Sequence, residues 1–237
     1  MFVNRKLVGR RGILAAAAVA LALVGVLLVV LGLRGHAGPP QPAPQRAAVS
    51  AALSAAAPTQ VPTPDPTPSP TAASELATQA VDLGTILPAS APVVLDIPSI
   101  GVHSTALVPL NVGTDGVLAA PTDFARPGWY EGGPTPGQLG PAVIAGHVDG
   151  PTGPAIFYRL GQLTPGAQVT ITRQDSSIAT FSIDTIASYA KSEFPTDLVY
   201  GNTTNRAELR LITCGGAFDH KTGHYVDNII AFGHLIT

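Results

Sequence analysis

Hydrophobic and polar positions divide the chain into three regions of unlike character. Residues 13–33 are all Ala, Val, Leu, Ile or Gly, without a charge. At about 1.5 Å per residue, a helix of that length crosses a hydrocarbon core of about 30 Å. The run is longer than the roughly 7 to 15 apolar residues of a cleaved leader, and no persuasive small-x-small cleavage site follows it, so it reads as a retained membrane helix rather than a cleaved signal peptide. From Gly35 to about Thr78 the residues are mostly Ala, Pro, Thr, Ser and Gln, with prolines at 62, 64, 66, 68 and 70. Proline fixes φ and lacks an N–H, so this stretch predicts an extended polyproline spacer that holds the next domain away from the bilayer.

Beyond about Val81 short apolar or alternating runs are separated by turn residues, the pattern of a small β-rich domain. Strands are predicted over 93–97, 142–148, 168–173, 180–186, 208–214 and 228–235. Thr114-Asp115-Gly116, Pro136-Gly137 and Pro165-Gly166 supply turn signals between them. No long amphipathic helix pattern follows the spacer, so the expected fold is mainly β, a closed or nearly closed barrel with short helical turns. The expected organisation is a cytoplasmic N-terminus (1–12), a transmembrane helix (13–33), an extracytoplasmic Pro/Ala/Thr-rich linker (34–90) and one folded domain (91–237).

Charge sets the orientation. Arg5, Lys6, Arg10 and Arg11 precede the apolar run and Arg34 alone follows it closely, which keeps the N-terminus in the cytoplasm and everything after Leu33 outside. The formal charge of -2 and an aromatic content of 5% supply neither the basic surface nor the stacking platforms of a nucleic-acid binder. The single cysteine rules out an intramolecular disulfide, so a lone thiol in an exported chain calls for another reason.

That thiol lies in Leu209-Arg210-Leu211-Ile212-Thr213-Cys214-Gly215-Gly216. Strand alternation turns Glu208, Arg210, Ile212 and Cys214 to one face and Leu209, Leu211 and Thr213 to the other. Cys214 is expected at the strand's end, where Gly215 and Gly216 let a substrate backbone approach. With an ordinary pKa of about 8.5 the thiol needs a base or positive charge nearby to act as a nucleophile. His147, at the end of the apolar run Ala142-Val143-Ile144-Ala145-Gly146, is the best-placed histidine. His36 lies by the membrane, His103 and His234 lack a glycine setting, and His220 and His224 fall in the loop expected after Cys214. On the residues alone, a buried inert thiol and a hydrogen-bonded strand-end histidine remain open beside the catalytic reading.

Five segments carry a resemblance: Gly128-Trp129-Tyr130, Gly146-His147-Val148-Asp149, Phe194-Pro195-Thr196-Asp197, Ile212-Thr213-Cys214-Gly215-Gly216 and Gly223-His224-Tyr225. In this order they resemble the class F sortases, and the similarity covers essentially all of residues 91–237. The resemblance implies an eight-stranded β-barrel of an extracytoplasmic cysteine transpeptidase, with Cys214 as nucleophile and His147 as acid/base. It implies cleavage after Thr in a Leu-Pro-x-Thr-Gly-like C-terminal sorting signal through a thioester. The acyl group then passes to an amine of a peptidoglycan precursor on a Gram-positive, especially actinobacterial, surface. The expected partners are therefore surface proteins bearing that signal, the amine acceptor and the membrane.

Sortases normally add an arginine on the strand after the Cys loop, but here the region reads Tyr225-Val226-Asp227-Asn228-Ile229-Ile230. Asn228, through its amide, and Arg210, about 13 Å back along the strand, are the candidates for oxyanion or substrate positioning; Arg126 on a loop is a third. The missing arginine also motivates the alternative of a catalytically impaired, membrane-tethered binding module on the sortase fold.

No cofactor and no metal site are expected. Asp219, His220, His224 and Asp227 carry metal-ligand chemistry, but a His pair at i and i+4 needs a helix where Lys221-Thr222-Gly223 predicts a turn; such an acidic loop leaves a calcium ion as the one candidate. Trp129 and Tyr130 read as core or edge aromatics, with a groove for the apolar end of a sorting signal as the alternative. Phe194-Pro195-Thr196-Asp197 reads as a turn before a short helix capped by Thr or Asp.

Overall fold

The computed structural model describes residues 38–43, 84–114, 116–201 and 205–237. Pro39–Thr237 form one compact unit and Met1–Gly38 another. The predicted membrane helix 13–33 and most of the linker lie outside the described residues, among which no helix is long and apolar enough to cross a membrane.

Among the described residues the strands are β1 (Pro92–Ile97), β2 (Val102–Ser104), β3 (Val108–Leu110), β4 (Gly128–Tyr130), β5 (Gly140–Ala145), β6 (Asp149–Gly150), β7 (Gly153–Pro154), β8 (Gln168–Arg173), β9 (Ile178–Ala190), β10 (Ala207–Asp219) and β11 (His224–Leu235), with one short α-helix, α1 (Thr196–Tyr200). Nine strands form one mixed sheet in the order β2-β1-β8-β9-β11-β10-β5-β4-β3, and β6 and β7 form a separate ribbon. The fold is mainly β, as the run pattern predicts, but the strand count and closure differ from an eight-stranded barrel. β2 and β3 are the two edges of the large sheet and do not pair with each other. Both are only three residues long, too short for periodicity to reveal them.

The long strands fall where alternation placed them, but their ends differ: β5 stops at Ala145, short of Val148, while β9 and β10 run on. β9 and β10 each span 13 residues, because β11 supplies ladder bonds to both beyond the apolar run. β10 is central, antiparallel to β11 and parallel to β5. Both of its faces are covered. Leu209 and Leu211 enter the main core with Ala142, Ile144, Ile229 and Ala231. Ile212 enters a second cluster with Val143, Val199 and Ile230, against which Tyr130, Tyr189, Phe194 and Tyr200 pack. Full burial of each such aliphatic side chain contributes about 1.5–3 kcal/mol.

Trp129 and Tyr130 follow the strand period of two: Trp129 lies against the main core and Tyr130 against the second cluster. α1 follows Phe194-Pro195 as predicted, but its cap position is Pro195 and no side chain caps it. Instead Val199 is buried in the second cluster, and tertiary burial holds a helix too short to persist alone.

The folded unit also begins earlier than the strand pattern indicates. Leu87 N–H donates to the Gly137 carbonyl at 2.8 Å, and the Pro88 carbonyl accepts from the buried guanidinium of Arg173. Within the stretch read as linker, Pro39 is buried and Pro40 half-buried on the same unit.

Candidate active site

Parallel pairing of β5 and β10 brings the two candidate residues together. Ile212 is in register with Ala145, and the Gly146 N–H donates to the Ile212 carbonyl at 3.0 Å. His147 and Cys214 each lie two residues beyond this last paired position. Ala145 and Ile212 themselves both border the second cluster.

Two details differ from the sequence expectation. β5 ends at Ala145, so His147 lies just past the strand. Cys214 does not end its strand: β10 continues through Gly215 and a bulge between Gly215 and Phe218 to pair Asp219 with His224. The bulge needs Gly216 at φ +75°, and a Cβ there would overlap the Asp227 carboxyl group. His224 is thus on a strand and not in a loop.

Cys214 is a free thiol of intermediate exposure. His147 is half-buried, its ring against Phe124 with centroids 4.4 Å apart. Its Nε2 lies 2.7 Å from the Pro121 carbonyl oxygen. A carbonyl only accepts, so Nε2 carries the hydrogen, and Nδ1 is the acceptor of the neutral ring. Backbone bonds from Phe157 N–H to the His147 carbonyl (2.9 Å) and from Ala155 N–H to the Val148 carbonyl (3.0 Å) fix the segment.

Asn228 is directly across the ladder from Cys214, with Tyr189 as its partner on the other side. Opposite side chains in such a pair have Cβ atoms about 4.5–5.5 Å apart, so the Asn228 amide is within reach of chemistry at the sulfur. Arg210 is not brought to the site. It is 3% exposed, and its donors go to Glu208 Oε2 (2.5 Å), the Leu198 carbonyl (3.0 Å) and the Leu209 carbonyl (3.2 Å), with the guanidinium 4.9 Å from the Phe232 ring centre. Arg126 is exposed and pairs with Asp123 at 3.2 Å.

Asp149 and Tyr225 form a contact the sequence did not reveal. The Tyr225 hydroxyl donates to Asp149 Oδ2 and joins the Cys hairpin to the segment that carries His147. Phe218 stacks edge-on against Tyr225 with centroids 5.1 Å apart. Burial first, then the Asp149 hydrogen bond and charge, then Tyr158 and Cys214, raise the Tyr225 phenol well above the ordinary tyrosine value. The signal was present, since both residues lie in the family-like segments, but nothing along one strand links position 149 to position 225.

The four loop residues with metal-ligand chemistry do not converge. The Asp219 carboxylate accepts from the Lys221 N–H at 2.8 Å and from the Thr222 hydroxyl at 3.1 Å. These bonds, the Lys221 N–H first, hold its pKa below the usual carboxylate range. His220 stacks on Phe218, and Asp227 accepts from the Ser188 hydroxyl at 3.2 Å. Among the described residues no group of three His, Cys, Asp or Glu side chains is placed to hold a metal ion.

Residues 95–236 match the sortase domain model. The chain is a sortase. Among solved structures it is similar to the sortase D5 transpeptidase of Clostridium perfringens, with 24% identity and a TM-score of 0.44 over 62% of this chain and 79% of that one. It is also similar to sortase A from Corynebacterium diphtheriae, at 22% identity and a TM-score of 0.46 over 63% and 61% of the two chains. Sortase C-1 from Actinomyces oris has 21% identity and a TM-score of 0.46 over 61% and 73%. No curated protein matches it. The family consists of cysteine transpeptidases, and this sortase has a single cysteine to offer, Cys214.

Proposed function

We propose that this sortase is a class F-type transpeptidase that cleaves a Leu-Pro-x-Thr-Gly-like sorting signal and joins the released protein to a cell-wall amine. The observation that supports the reading is the β5–β10 register, whose last rung pairs Ala145 with Ile212, two residues before His147 and Cys214. Cys214 Sγ, as thiolate, attacks the carbonyl carbon after Thr, and its lone pair forms the C–S bond. As the C–N bond breaks, His147 Nδ1–H protonates the departing amine. The acceptor amine then attacks the thioester and neutral Nδ1 takes its proton, while the C–S pair returns to sulfur. Through both halves the Nε2–H bond to the Pro121 carbonyl holds the ring in one orientation. In place of the family's arginine, the Asn228 amide donates to the oxyanion of each tetrahedral intermediate.

Residues 13–33 anchor the protein in the membrane with the N-terminus in the cytoplasm, and the catalytic unit acts outside on surface proteins bearing the signal. No cofactor takes part in this chemistry. The test incubates purified protein with a Leu-Pro-x-Thr-Gly peptide panel and glycine or diamino acceptors, followed by mass spectrometry. An adduct on Cys214 and a ligated product, both lost in Cys214→Ala and His147→Ala, are expected. A folded protein with a reactive thiol that forms neither overturns the reading in favour of a binding-only sortase fold.

A further inference from the structure

The ladder between β5 and β10 stops short of the reacting groups. Its last rung is Ala145 with Ile212. Past it the chain passes close over Phe157, where a Cβ at Gly146 would overlap the ring. The carbonyls of His147 and Val148 then accept from the Phe157 and Ala155 N–H groups, so this segment is bonded to the chain that follows it. Asp149 and Gly150 go on to pair with Pro154 and Gly153 in the β6–β7 ribbon. A ribbon of two short strands does not hold a position by itself, and the large sheet no longer sets how far His147 lies from Cys214.

On the nucleophile's side the hairpin ladder runs from Cys214–Asn228 through Gly215–Asp227 and, past the bulge, to Phe218–Tyr225. Tyr225 therefore moves with Cys214. Its ring is held edge-on by Phe218, with centroids 5.1 Å apart. The phenol is also within electrostatic reach of the sulfur, since Cys214 acts on it after burial, Asp149 and Tyr158. The Tyr225 hydroxyl donates to Asp149 Oδ2 in a part-buried contact. That bond rejoins the two segments beyond the end of their ladder, and it does so two residues from His147.

We propose that Tyr225 and Asp149 are a positioning pair for transpeptidation: their bond braces the Cys214 hairpin against the His147 segment and sets the separation of sulfur and imidazole. The positioning rests on the transpeptidase reading. Neither side chain exchanges a proton in the reaction; both act through His147 and Cys214. A phenol on a carboxylate makes a charge-assisted bond, roughly twice as strong as a neutral one, which suits a brace between segments that no ladder joins. A displacement of about 1 Å at reacting groups costs up to about 10²-fold in rate, so a brace of this kind is read in kcat.

Variants of the full chain in detergent micelles test the pair. Tyr225→Phe deletes the hydroxyl and keeps the ring on Phe218. Its kcat for a Leu-Pro-x-Thr-Gly peptide is expected to fall roughly 10- to 100-fold, with KM within about twofold of the parent. Asp149→Ala should match it, and the double variant should be no slower than either, because each removes the same bond. Asp149→Asn keeps an oxygen that accepts from the phenol and should recover most of the turnover that Asp149→Ala loses. Thermal unfolding of each variant sets the assay temperature below its melting range. Alkylation of Cys214 by iodoacetamide, followed from about pH 5 to 9, reads the geometry without turnover. An imidazolium beside the sulfur favours the thiolate, so the alkylation midpoint should rise in His147→Ala. Tyr225→Phe should raise it in the same direction, and should not move it in a chain that already carries His147→Ala.

Unchanged kcat in Tyr225→Phe, or losses that add in the double variant, overturn the positioning. A midpoint that Tyr225→Phe moves equally with and without His147 assigns its effect to the sulfur directly and overturns a brace acting through His147. A midpoint moved by His147→Ala and not by Tyr225→Phe overturns the pair and leaves the transpeptidase reading standing. If the parent forms no thioester with any peptide and His147→Ala leaves the midpoint in place, the transpeptidase reading fails and the positioning fails with it.

Discussion

Replacing Arg210 with methionine separates a structural arginine from a catalytic one. The guanidinium and the Glu208 carboxylate are a buried pair, with side-chain exposures of 4% and 3% and an N···O distance of 2.5 Å. Arg206 Nε supports the same carboxylate at 3.0 Å and extends the network to Asp184 at 3.1 Å. Removing one partner leaves Glu208 buried with a diminished counter-charge, a loss of about 3–5 kcal/mol for pairs of this kind. The Leu198 carbonyl and the Phe232 ring lose their contacts as well. For a unit of this size each kcal/mol lowers Tm by about 2–4 °C, so Arg210→Met should melt roughly 6–20 °C lower. Replacing both members, Glu208→Leu with Arg210→Met, removes the uncompensated charge and should recover most of the loss. Thermal unfolding followed by circular dichroism measures the shift, and single-turnover acylation below the melting range measures chemistry. An Arg210→Met protein with unchanged Tm and a kcat lowered a hundredfold or more would refute the structural assignment and return Arg210 to the oxyanion role.

Asn228→Ala removes the amide across the ladder from Cys214 and should lower kcat by about 10²–10³ with little change in KM; a kcat within twofold of the parent would exclude the oxyanion role. The Tyr225 phenol is held protonated in the folded chain, so it favours folding fully below its ordinary value of 10, and this contribution is lost as pH rises from 10 toward the higher folded value. Stability against urea should therefore decline above pH 10 more steeply in the parent than in Tyr225→Phe, and equal slopes would contradict the assignment. Gly216→Ala forces a side chain into φ +75° and onto the Asp227 carboxyl group, and a stability loss of at least about 1–2 kcal/mol is expected by denaturant titration.

What the sequence determined by itself is local. Alternation located the long strands and the face on which Ile212 follows Arg210, because period-two burial is written residue by residue. The isolated thiol next to two glycines and the histidine after Gly146 were legible for the same reason, with family-like segments around them. Tertiary structure decided what depends on partners far along the chain. The continuation of β10 past Cys214 needs β11, and the edges β2 and β3 exist only through their neighbours. Arg210 shares a face with Cys214, yet it is drawn into the Glu208 network because a buried guanidinium must find a carboxylate. The Tyr225–Asp149 bond and the placement of Gln41 on Gly216 join residues 76 and 175 positions apart. Periodicity and spacing have no reach over such separations; burial and hydrogen-bond satisfaction across the folded sheet set them.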